Sequence, residues 1–384
     1  MIFREFGKTG LQMPVYSLGG MRFMQSWEHD AEVTPASDRN VHDIIHHSLS
    51  AGITHIDTAR GYGTSERQIG RVLRKVPRDR YLVSTKVTPK DEVSRFVEEV
   101  RDSISVLACE YLDILHIHGI NNPDIYEQTF RKGGTMDTAE DLRREGLVRH
   151  IGFSTHGDLD TILRTIETGR MDCVMLHYYF LMPRNLPAVE AAKRRDMGVS
   201  IISPADKGGQ LYRASNPVRE LSEPFSPVVA SDLFCLTTPG VHTINIGAQR
   251  TSDIDTRLVG LKHLEERGPV MRAVTRILDR MKESLPGTYC TGCFTCEPCP
   301  EGVNIPETLR LRNLAAGLNL VAFARWRFNM FEQAEHWFPG RKPEACTRCG
   351  ECVPRCPEKL NIPELIHDTV ARLKAQASKR LGKH

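Results

Sequence analysis

Residues 53–86 read ITHIDTARGYGTSERQIGRVLRKVPRDRYLVSTK. Two short β-type runs, 53–57 and 81–86, flank an amphipathic stretch, and each run ends on an ionisable side chain, Asp57 and Lys86. A strand, a helical pattern and a second strand make a unit that predicts parallel pairing through a crossover.

The same unit recurs outward in both directions. Strand-like runs are expected at 15–20, 53–57, 81–86, 112–118, 148–154, 173–178, 199–203 and 243–247. Several are continuous in Val, Ile and Leu, as strands buried on both faces are. Between them, Val41, Ile44, Ile45 and Leu49 recur at helical spacing, as do Val93, Phe96, Val97, Val100, Ile104 and Leu107. Leu159, Ile162, Leu163 and Ile166 repeat the pattern, and Gly169 follows as a stop. Eight strands alternating with helices in about 250 residues is the size of a closed (β/α)8 TIM barrel. An open doubly wound sheet would carry a G-x-G-x-x-G turn after its first strand, where this chain has SLGGMRF. The opening REFGKTGLQMPVYSLGG reads as a hairpin closing the bottom of the barrel.

The chain has 384 residues, 40% hydrophobic and 26% charged, which describes a globular protein. Fifty-one basic and 48 acidic side chains leave a net charge of +3. That balance argues against a nucleic-acid or membrane-surface role. No apolar run reaches the roughly 18–20 residues of a membrane span, and MIFREFGKTG lacks a secretion signal. The cytoplasm is the expected compartment. The basic stretch 372–384 reads as a solvated tail.

In a barrel of this type, reacting groups stand at the C-terminal ends of strands. Asp57, Lys86 and His118 end three successive strands, and Tyr62 lies in the loop after the first of these. Such a set suits carbonyl reduction. Lys86, held charged by Asp57, would lower the pKa of the Tyr62 phenol, ordinarily about 10. Tyr62 would protonate the carbonyl oxygen as hydride arrives at carbon, with His118 orienting the carbonyl. His116 shares a strand face with His118 and reads as an interior residue. Phe23, Met24 and Trp27, in the loop after the first barrel strand, either line the substrate pocket or pack locally.

The segments HIDTARGYGTSERQIGRVL, LVSTKV and YLDILHIHG resemble the signatures of the aldo-keto reductases, over most of residues 1–265. The resemblance implies a catalytic tetrad of Asp57, Tyr62, Lys86 and His118, acting on a small-molecule carbonyl. It also implies an extended nicotinamide cofactor, NADP(H) or NAD(H), across the barrel mouth. Ser154 and Tyr178 match cofactor positions, as do Gly247, Ala248 and Arg250, where Arg250 could meet a 2′-phosphate. Thr155 and Met175 depart from the family's asparagine and glutamine, and the usual adenine-contacting glutamate–asparagine pair is missing.

Eleven cysteines are unevenly spread. Cys109, Cys173 and Cys235 read as core residues. The other eight form two runs, Cys290-x2-Cys293-x2-Cys296-x2-Cys299-Pro and Cys346-x2-Cys349-x2-Cys352-x3-Cys356-Pro. The second run resembles the bacterial ferredoxin pattern that binds 4Fe–4S clusters, and the first departs by one residue. Zinc is the alternative, but structural zinc sites pair C-x2–4-C knuckles across a longer spacer. By the resemblance, the fourth cysteine of each run serves the other cluster. Cys290, Cys293, Cys296 and Cys356 would then hold one cluster, and Cys346, Cys349, Cys352 and Cys299 the second.

Each run precedes a similar phrase, VNIPETL and LNIPELI, and an apolar helical segment lies between the runs. These features predict a C-terminal, mainly α-helical ferredoxin-like domain over 286–384, after a barrel over 1–285. Nicotinamide moves a hydride whereas a cubane moves single electrons, so direct coupling would need a mediator such as a flavin, for which no clear motif is seen. A redox protein could be the partner. The competing reading is an electron-transfer or assembly subunit with a catalytically silent barrel.

Overall fold

The computed structural model of the chain describes residues 1–333 and 338–374. Eight parallel strands close into a barrel: β3 (Tyr16–Gly19), β4 (His55–Asp57), β5 (Leu82–Val87), β6 (Leu112–His118), β7 (Val148–Ser154), β8 (Cys173–His177), β9 (Gly198–Ile202) and β10 (Thr243–Gly247). They neighbour one another in chain order, and β10 returns to β3 to complete the ring. The first two strands, β1 (Phe3–Glu5) and β2 (Gln12–Pro14), pair antiparallel outside the barrel. Phe6, in the turn that joins them, packs with Met13, Ile114 and Cys173. Since Ile114 and Cys173 lie near the starts of β6 and β8, the hairpin plugs the N-terminal end of the barrel, as expected.

The crossover helices form where the apolar stripes place them. Helix Pro35–Ser50 begins after Thr34, whose hydroxyl accepts from Ser37 N–H, and buries Val41, Ile44 and Ile45. Helix Val93–Val106 buries Phe96, Val100 and Ile104, each worth about 1.5–3 kcal/mol on removal from water. Helix Leu159–Glu167 is capped by Asp158 and buries Ile162 and Ile166.

Register decides what faces inward. Asp57 pairs with Ser84, Lys86 with His116, His118 with Ser154, and Thr243 with Ser200. Side chains alternate along each strand, so these polar residues share one face. Barrels of this type are usually filled by bulky branched side chains. Here the layers below the mouth contain Ser17, His55, Ser84, Thr243 and Asn245, all buried.

The chain divides into two compact units. One comprises Met1–Pro204 with Ser231–Glu265, the other Ala205–Ala230 with Glu266–His384. The second unit is helical: Arg267–Glu283 packs against Ile305–Leu318 and Asn216–Ser222, and Ile305–Leu318 also against Ile362–Leu373. Of the expected apolar face, Leu309, Leu311, Leu314, Leu318, Phe323 and Phe331 are buried, and Trp326 and Met330 half-buried. Asn304 caps Ile305–Leu318 by accepting from Glu307 N–H at 3.0 Å. Most of the basic tail, 375–384, lies outside the described residues. Among those described, no helix is long and apolar enough to cross a membrane.

Candidate functional site

The ends of β4, β5 and β6 bring Asp57, Lys86 and His118 to one region, and the loop after β4 adds Tyr62. Lys86 Nζ donates to Asp57 Oδ2 at 2.6 Å and to the Thr58 carbonyl at 2.6 Å. The other carboxylate oxygen, Asp57 Oδ1, accepts from Ser84 Oγ at 2.7 Å. Asn245 Nδ2 approaches Asp57 Oδ2 at 3.4 Å. Lys86 Nζ lies 5.0 Å from the centre of the Tyr62 ring, and the His118 ring meets Tyr62 edge-on at 6.2 Å. The Trp27 ring meets the Tyr62 ring edge-on at 6.3 Å, which places it beside these groups. Met24 is exposed, and Phe23 is buried.

The electrostatics follow from enclosure. Burial pulls the Lys86 ammonium down, but Asp57 and Tyr62 together outweigh it and its pKa rises, so Lys86 is charged. Tyr62 departs from the sequence-based expectation. Lys86 does act to lower its pKa, yet burial of the phenol is the larger effect and the net direction is upward. Tyr62 is therefore a protonated phenol at neutral pH. His116 is pushed well below the ordinary histidine value by burial and by Lys86, so it is neutral. It lies in the barrel interior as expected, although among the described residues its Nδ1 has no hydrogen-bond partner.

The candidate cofactor residues are more dispersed. Ser154 ends β7, and its Oγ accepts from Gly119 N–H at 3.3 Å. Thr155 is turned away, donating to the Ile120 carbonyl at 2.7 Å. Tyr178 follows β8 and stacks on Phe234 at 5.4 Å. Gly247 ends β10 where a Cβ would stand 2.6 Å from Arg22 Cδ, and Ala248 beside it is buried. Arg250 is 78% exposed, with Nε 3.4 Å from Asp253 Oδ1. Asn245 escaped the sequence reading. Besides Asp57 it reaches Met175 Sδ at 3.6 Å, and its Oδ1 is buried without a partner. The available signal was a polar residue at alternating spacing with Thr243 and Gly247 in an otherwise apolar strand.

In the second unit the eight clustered cysteines line two cavities. One is lined by Cys290, Cys293, Cys296 and Cys356, with Leu309, Leu360 and Ile362 among its apolar walls. The other is lined by Cys299, Cys346, Cys349 and Cys352, with Ile305, Pro363 and Ile366. The fourth cysteine of each run thus lines the other run's cavity, the crossover that the ferredoxin resemblance implies. Each wall also draws on both NIP phrases. The runs bend alike: Gly292 and Phe294 take φ of 70° and 64°, and the corresponding Arg348 and Gly350 take 60° and 80°. Each run supplies glycine at one of its two left-handed positions.

Asn313 clamps the start of the first run, with Nδ2 donating to the Cys290 carbonyl at 2.8 Å and Oδ1 accepting from Cys290 N–H at 3.4 Å. Burial pushes the Cys290 thiol up to about 11 and Cys296 to about 12. Thiolates there need a cation to offset their charge.

Comparison with known proteins agrees with both halves. Residues 17–217 match the aldo/keto reductase family, and residues 289–361 match a 4Fe-4S dicluster domain. The chain belongs to the aldo/keto reductase family, whose members use nicotinamide on small carbonyl compounds, and it carries an iron–sulfur domain at its C-terminal side. It is an oxidoreductase. L-galactose dehydrogenase of Arabidopsis thaliana is 24% identical, over 73% of this chain and 95% of that protein. The NADH-specific methylglyoxal reductase of Escherichia coli (strain K12) is 29% identical, over 43% of this chain and 56% of that protein. A solved aldo-keto reductase from Bacillus halodurans superposes with a TM-score of 0.60 at 20% identity, over 71% of this chain and 96% of that one, which shows the fold.

Proposed function

We propose that the protein reduces a small carbonyl compound, or oxidises the matching alcohol, at the barrel mouth, with Asp57, Tyr62, Lys86 and His118 as its catalytic residues. The observation that carries this reading is the buried Lys86–Asp57 pair beside the Tyr62 ring. Burial keeps the resting phenol protonated and ready to donate. As the proton leaves, negative charge develops on the Tyr62 oxygen next to a fixed ammonium, a stabilisation that needs no reorganisation. Asp57 keeps that ammonium charged and in place. His118 would hydrogen-bond the carbonyl oxygen. A nicotinamide held there would supply hydride chemistry at carbon, and Tyr62 would give its proton to the oxygen.

Ser154, Tyr178, Gly247, Ala248 and Arg250 are proposed to hold the nicotinamide cofactor. The fit rests on polar groups near Met175. Ser154 is its register partner and carries a hydroxyl, and Asn245, against its sulfur, has an acceptor unpaired among the described residues. A carboxamide offers the complement of both. NADP(H) is favoured where Arg250 meets a 2′-phosphate, and NAD(H) where it stays on Asp253.

The second proposal concerns the cysteine region, taken as 286–384 after a reductase portion over 1–285. Cys290, Cys293, Cys296 and Cys356 would hold one 4Fe–4S cluster, and Cys299, Cys346, Cys349 and Cys352 another. One observation favours clusters over zinc: four cysteines, three of them at successive x2 spacing, line each cavity. Bound clusters take up and release electrons one at a time, so this region would exchange electrons with a redox protein, separately from hydride transfer. Thiolate-held clusters suit a reducing compartment, the cytoplasm.

Incubation of the full chain with a small aldehyde and nicotinamide deuterated at C4 tests the reductive step. The reading expects deuterium on the carbinol carbon. Product without deuterium, or no product with either NADH or NADPH, contradicts it.

A further inference from the structure

Below the barrel mouth, an unbroken line of hydrogen bonds crosses four strands and ends on Asp57. Thr243 Oγ1 and Ser17 Oγ are 2.8 Å apart, and Ser17 Oγ lies 2.7 Å from His55 Nδ1. His55 Nε2 lies 3.0 Å from Ser84 Oγ, which donates to Asp57 Oδ1 at 2.7 Å. Every member is buried, His55 at 1% exposure. Polar groups enclosed like this cost stability unless they are paired, so a line of them in a barrel interior asks for a reason.

The line has only one consistent direction. Asp57, facing the Lys86 ammonium, is a carboxylate and can only accept, so the single Ser84 hydrogen is committed to it. Ser84 must then accept from His55, which puts a hydrogen on Nε2. A neutral imidazole has no second hydrogen, so Nδ1 accepts from Ser17, and Ser17 accepts from Thr243. The charged groups acting on His55 are Asp57, Asp113 and Lys86, and burial outweighs them, holding its pKa down to about 4. The other acceptor within reach of the Ser17 hydroxyl is Met13 Sδ at 3.9 Å, a weak acceptor at long range. The order Thr243→Ser17→His55→Ser84→Asp57 therefore follows from the charge at its end.

We propose that His55 is a positioning residue: as the Nε2–H tautomer it turns the Ser84 hydroxyl onto Asp57 and so fixes the carboxylate that holds Lys86 beside Tyr62. The idea rests on the reductive reading of those three residues. Without the Ser84 bond, Oδ1 of Asp57 loses its only hydrogen bond among the described residues, and the carboxylate is freer to turn about its terminal torsion. Lys86 would then be held less firmly where charge develops on Tyr62. The loss falls on the chemical step, because neither His55 nor Ser84 reaches the mouth where a carbonyl would bind.

The test uses the full chain, with histidine ring nitrogens labelled for NMR and with kinetics on Ser84→Ala. His55 is expected to show a protonated Nε2 and an unprotonated Nδ1 from neutral pH down to about pH 5. An Nδ1–H tautomer, or an imidazolium at neutral pH, overturns the proposal whatever the variant does. Ser84→Ala is expected to lower kcat about tenfold with KM for the carbonyl unchanged. An unchanged kcat, or a loss confined to KM, overturns it as well. Tyr62→Phe run in parallel separates the two ideas. Activity lost in Tyr62→Phe but kept in Ser84→Ala removes only the positioning role, whereas activity kept in both removes the reductive reading beneath it.

Discussion

Lys86 Nζ and Asp57 Oδ2 stand 2.6 Å apart with side chains only 2% and 4% exposed. An ion pair this enclosed adds little net stability over an apolar pair, because both ions were desolvated to form it. Removing one partner is another matter, since it strands the other charge.

Asp57→Asn is therefore expected to cost about 3–5 kcal/mol in denaturant unfolding and to abolish carbonyl reduction. Asp57→Asn combined with Lys86→Met should regain most of that stability and none of the activity. If the double variant is no more stable than the single, the stranded-charge account of this pair is wrong.

The pH dependence of stability has a defined sign. Burial holds His55 at about 4 and pushes His116 well below the ordinary value of 6.5. Between those values the unfolded chain binds protons that the folded chain does not. Stability contributed by neutral His55 is complete above pH 6.5 and drains away as pH falls towards 4, by roughly 3 kcal/mol. Guanidinium midpoints measured across that interval should fall steadily, and a flat profile contradicts the burial argument.

In the reductive direction, activity requires protonated Tyr62. Burial raises its pKa above the ordinary 10.0, so the alkaline limb of the kcat/KM profile should lie above that value. A limb near neutrality assigned to Tyr62 would mean that Lys86, not burial, governs the phenol.

The crossing of fourth cysteines makes a counting prediction. Cys293→Ala combined with Cys356→Ala should leave about half the iron, because both line one cavity. Cys293→Ala combined with Cys299→Ala should lose nearly all of it, since the two line different cavities. Iron and sulfide analysis after anaerobic purification decides between them.

Much of this was legible from local pattern. The run expected at 81–86 is strand Leu82–Val87, and the run at 112–118 is Leu112–His118. Asp57, Lys86 and His118 could be read because a strand end is a local property of the chain. Relations that depend on register could not be read. Ser17, His55, Ser84 and Thr243 come from four separate strands, and nothing in any one segment says that they meet. Asn313 and Cys290, 23 residues apart, pose the same problem. The sign of the Tyr62 shift was missed because a neighbouring charge is visible in sequence and enclosure is not. Composition changes at Leu285, whereas compaction gathers Ala205–Ala230 with the cysteine region, a long-range grouping that no local signal carries.

The most direct test compares wild type with Tyr62→Phe at matched iron content, following nicotinamide-linked reduction of a small aldehyde. The variant should fold, keep its iron and lose at least about 100-fold in kcat/KM. Equal rates in the two proteins would contradict the central claim that the barrel reduces carbonyls through Tyr62.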